Sequence, residues 1–79
     1  MTKDKLDEWW SSLAITEKER IASKIASKKA GKALNVVYPE CTAVWNTLDL
    51  ERQEKVYAHC TDDHGLLLPE YKNGDTYSF

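Results

Sequence analysis

A twelve-residue echo constrains this chain more than any other feature. Trp10–Ile21 aligns without a gap on Trp45–Val56, at an offset of 35 residues. Trp10/Trp45, Leu13/Leu48 and Glu19/Glu54 are identical, and Ser12/Thr47, Ile15/Leu50, Arg20/Lys55 and Ile21/Val56 are conservative, which makes seven of twelve columns. Each copy reads as the end of one helix, a tight corner and the start of another. The expected fold is therefore all-α: a small bundle of four helices, built as two pseudo-repeated helical hairpins. Seventy-nine residues allow one domain. The hairpins are placed at about 3–34 and 39–65, within a helical domain spanning 1–69. An irregular C-terminal tail occupies 70–79.

The periodicity supports this division. Leu6, Trp9, Trp10 and Leu13 follow the i, i+3, i+4, i+7 spacing of one apolar helix face over residues 3–12. Thr16-x-x-Glu19 has the form of a capping box and predicts a second helix from 17 to about 34. Gly31 weakens that helix by ~1 kcal/mol relative to alanine and can bend or end it. Pro39 suits the first turn of a short third helix. Asp49 is a good N-cap for a fourth helix, with Gly65 at its close.

The second corner, Trp45-Asn46-Thr47-Leu48-Asp49 through Tyr57, resembles the Trp-Asn-x-Leu-Ser turn of HMG boxes, where a tryptophan also packs across a helix corner. The resemblance covers about a dozen residues. The basic N-terminal arm, long third helix and minor-groove wedge of that family have no counterpart here. The likeness implies corner geometry and carries no function across.

Chemistry is sparse. Cys60 and His64 stand at i and i+4, with Asp63 between them, but a structural zinc site needs four ligands and no second pair exists. With three glycines, the chain has little backbone for a phosphate or oxyanion cradle, and it has no nucleophile elbow. No enzyme activity, metal or other cofactor is expected. Cys41 and Cys60 read as free thiols in a cytoplasmic protein. No apolar run approaches the ~18 residues of a membrane span.

The net charge of −2 hides an asymmetry: residues 1–34 carry +3 and residues 35–79 carry −5. Arg20, Lys24, Lys28, Lys29 and Lys32 form a basic ridge along the second helix. Two functions compete on this basis. The favoured one is a non-catalytic protein-interaction module, with Trp9, Tyr71, Tyr77 and Phe79 as partner contacts, acting on an unidentified protein or as a homodimer. The alternative is a nucleic-acid-binding regulator that uses the basic ridge.

Overall fold

The computed structural model describes residues 1–72. The first helix, α1 (Lys3–Ser12), starts at Thr2, whose side-chain oxygen accepts from the Lys5 amide. It ends where Leu13 turns extended. The second, α2 (Ile15–Ala30), begins two residues earlier than the sequence indicates. Its first turn is closed by Glu17, which accepts from the Ala14 amide at 2.8 Å. Glu19, expected to close a box with Thr16, instead accepts from the Tyr38 amide at 2.8 Å. The helix stops at Gly31, which takes the left-handed conformation at φ +74° and returns its N–H to the Ser27 carbonyl. Ending there, rather than near residue 34, frees the chain to turn back along α2.

The return is fixed by two serines. The Ser27 hydroxyl accepts from the Leu34 amide (2.7 Å) and donates to the Leu34 carbonyl (3.1 Å). One turn earlier, the Ser23 hydroxyl does the same with the amide and carbonyl of Val36, at 2.8 and 3.3 Å. Glu19 continues the series with Tyr38. Four helical residues rise ~6 Å, and two extended residues advance ~6.6 Å. Helix positions 19, 23 and 27 therefore stay in register with strand-like positions 38, 36 and 34. Small side chains at Ser23 and Ser27 let the backbone come this close.

Pro39 then opens α3 (Glu40–Asn46), and Asp49 caps α4 (Leu50–Cys60) by accepting from the Arg52 amide at 2.8 Å. The fourth helix ends at Cys60, four residues before the expected stop. Asp62 causes this by holding a turn: its carboxylate accepts from the His64 and Leu66 amides. Gly65 adopts φ +76° within that turn, not as a helix cap. Leu66 is exposed after that turn, while Leu67 and Leu68 pack on the core. A fifth short helix, α5 (Pro69–Lys72), replaces the start of the irregular tail, and its Tyr71 is fully buried. The packed unit thus extends past residue 69.

The all-α class holds, with five helices among the described residues rather than four. The main contacts lie between the two halves of the chain. The main packing pairs are α2 with α3, α1 with α4, and α5 with α2. The two helices joined at each corner, α1 with α2 and α3 with α4, are not among these pairs, so each half packs mainly on the other half's helices.

Trp10 and Trp45 show why. Their rings stack on each other at 4.9 Å and 4°. The Trp10 indole N–H donates to Thr42 (3.3 Å), and that of Trp45 donates to Asp7 (3.1 Å). Each indole therefore reaches across to the residue three positions before the other. The corners also match in detail: Leu13 N–H bonds to the Trp10 carbonyl and Leu48 N–H to the Trp45 carbonyl, both at 3.1 Å. Ser12 and Thr47 bond back to the Trp9 and Val44 carbonyls, both at 2.6 Å. The likeness is local. The helices flanking the corners differ in length, 10 against 7 and 16 against 11 residues, and a repeat of whole hairpins is not established.

The core joins Leu6, Trp10, Ile21, Cys41, Trp45 and Tyr71 with Ala22 and Cys60. Buried Gln53 fastens three helices: it donates to the Trp45 carbonyl (3.0 Å) and accepts from Lys3 (3.0 Å). A buried polar side chain costs little when both ends of its amide are matched in this way.

Candidate protein-docking groove

Both helices that border the groove place their apolar and basic residues by the same periodicity. On α2, Ile21, Ile25 and Lys28 follow i, i+4, i+7, with Lys24 and Lys29 flanking them. On α4, Arg52, Lys55, Val56 and His59 share one side. The two helices are not a main packing pair, and they leave two adjoining hollows of about 280 and 540 Å³ between them. Ile25, Lys28, Lys55 and Val56 border both, which makes one continuous groove. Its floor is Ile21, Ile25 and Val56, closed at one end by Val44 and Leu48 and at the other by Tyr71.

The rim is cationic on both sides. Lys24, Lys28 and Lys29 stand along α2, and Arg52 and Lys55 stand along α4. No Asp or Glu of the described residues lines either hollow. Glu51 lies 3.6 Å from Lys55, but both side chains are largely exposed, so water screens that pair. Low-dielectric walls beside these cations concentrate a positive potential in the cleft.

The residues expected to carry function fall in different places. Lys28 and Lys29 are on the rim. Lys24 also reaches over the Tyr71 ring, 5.1 Å from its centre. Arg20 donates to the Glu70 carbonyl at 3.5 Å, which ties α2 to α5. Lys32 lies beyond Gly31, in the exposed turn outside the groove. The ridge is therefore divided, with three of its cations on the groove.

Tyr71 is a correction. It is 0 % exposed and serves the core, where its ring supports Lys24, so its face is not free for a partner. Trp9 is half-buried and packs its ring at 5.0 Å against Tyr57 and 5.7 Å against Trp45. Tyr77 and Phe79 lie outside the described residues.

The Cys60/His64 pairing fails because α4 ends at Cys60, which leaves His64 in an exposed turn. Among the described residues no group of three or more His, Cys, Asp or Glu is placed to hold a metal ion. Cys41 and Cys60 are both free and buried. Burial pushes the Cys60 thiol up to about 11, against a smaller opposing pull from the Tyr71 hydroxyl that bonds to it and from Lys24. Such a thiol is a poor nucleophile at neutral pH.

Arg52 and Lys55 escaped sequence reasoning. They lie in the acidic half of the chain, and only the approach of α4 to α2 sets them opposite Lys28. Their spacing of three, with His59 four further on, is a basic stripe in its own right. Among the described residues, no helix is long and apolar enough to cross a membrane. Comparison with protein-family models, with curated proteins and with solved structures returns no match.

Proposed function

We propose that this protein is a non-catalytic interaction module that docks a partner protein in the groove between α2 and α4. One observation carries the reading: an aliphatic floor bordered on both sides by cations, with no carboxylate in the described lining. Apolar surface supplies affinity, while a charged rim supplies orientation and rate. A groove of this size suits a weak, reversible contact at the small end of specific interfaces. Two free, buried thiols fit the reducing cytoplasm.

Position-resolved photocrosslinking tests this. A photoreactive residue at Lys28, on the groove rim, should trap a protein in extracts of the source cells. The same group at Glu8, an exposed position on α1 away from the groove, should not. Equal trapping at both positions, or none at Lys28, refutes the assignment.

Nucleic-acid binding is the second reading, and it gains from Arg52 and Lys55, which add a second cationic side to the ridge. It is the weaker one because the floor is aliphatic and offers little surface on which bases could stack. Retardation of DNA or RNA at low salt, abolished by reversing Lys28 and Lys55, would favour it.

A further inference from the structure

We propose that the groove's occupant is an acidic amphipathic helix contributed by a different protein; this rests on the docking reading above. Three observations select it. The first is charge: cations on both rims call for carboxylates on both flanks of whatever lies between them. The second is backbone. The floor is formed by side chains from the middle of α2 and α4, whose N–H and C=O groups are bonded within their own helices. An extended segment would lay its own amides over Ile25 and Val56 without partners. A helix brings its hydrogen bonds with it. The third is length. Ile21 to Lys28 spans seven residues, ~10.5 Å at the helical rise, which matches anchors at i, i+3 or i+4, and i+7 on about two turns.

A second copy of this chain fits poorly. The apolar positions of α1 and α3, namely Leu6, Trp10, Cys41 and Trp45, are buried in the core. The exposed Ile15 and Leu50 stand singly at helix starts. Among the described residues no helix offers an exposed apolar stripe flanked by acids; that of α1, beside Asp4, Asp7 and Glu8, is turned into the core.

The test uses three labelled peptides of about 15 residues and fluorescence anisotropy. The first has leucines at i, i+3, i+4 and i+7 with glutamates on both flanks. The second replaces those glutamates with lysines. The third keeps the glutamates and places a proline at the centre. The first should bind saturably. The second and third should bind at least about tenfold more weakly. K28E/K55E, with its fold checked by circular dichroism, should weaken the acidic peptide about tenfold and strengthen the lysine one.

Equal binding of the proline peptide would mean extended recognition and would overturn the proposal. So would equal binding of the lysine peptide, or no binding of the acidic peptide at hundreds of micromolar. Self-association abolished by K28E/K55E would make a second copy the occupant and also overturn it. If the peptides fail while crosslinking at Lys28 still traps a protein, the docking reading stands and the helical occupant falls.

Discussion

Replacing Ser23 with alanine tests the serine stitch that holds the returning segment to α2. The hydroxyl satisfies both the amide and the carbonyl of Val36, and Ser23 is only 1 % exposed, so water cannot readily take its place. Losing two partners at a part-buried site costs about 2 kcal/mol, within a range of about 1–3. The slightly better helix propensity of alanine returns a few tenths of that at most. In a domain of this size, 1 kcal/mol moves the melting temperature by roughly 4–8 °C, so S23A should melt about 8–16 °C lower. The matching change at Ser27 removes bonds that are exposed to solvent, where water can substitute, and should cost about 0.5–1 kcal/mol. Thermal melts followed by circular dichroism measure both, and hydrogen exchange at the Val36 amide reports the stitch directly. If S23A costs no more than S27A, or if Val36 protection is unchanged, the register argument is wrong.

Two glycines, a thiol and a carboxylate offer further tests of the same geometry. G31A should lose about 1 kcal/mol from backbone strain alone, because φ is +74° and open space surrounds the position. G65A should lose more, since its new methyl meets the Tyr57 hydroxyl oxygen at 2.9 Å; the excess should shrink in a Tyr57→Phe background, as a double-mutant cycle would show. Cys60 should resist an aromatic disulfide reagent at pH 8 in the native protein and react once unfolded. Because the folded thiol holds its proton more tightly than the unfolded one, its contribution to stability is complete below about pH 9 and is lost as pH rises towards about 11, measurable by urea melts across that window. Asp7 should titrate below the usual carboxylate range in a carbon-detected NMR experiment, owing to its bonds from Lys3 and Trp45. D7N should abolish that titration while leaving an acceptor for the Trp45 indole. An Asp7 that titrates normally would remove the charge-assisted link between α1 and α3.

Local signals fixed the pieces of this molecule. The apolar spacing of Leu6, Trp10 and Leu13 placed α1 to the residue, Asp49 marked the start of α4, and the matched columns located both corners. These depend on contacts within a turn or two, which sequence records. Tertiary packing decided what lies beyond that range. Glu19 closes no box because the Tyr38 amide competes for it. Tyr71 joins the core because a short helix folds it back beneath Lys24. Arg52 and Lys55 meet Lys28 across a groove because the helices joined at each corner part, and each half leans on the other. Periodicity shows which side of a helix is apolar; which helix will face that side depends on the crossing that the Trp10–Trp45 stack imposes, and no local pattern encodes it.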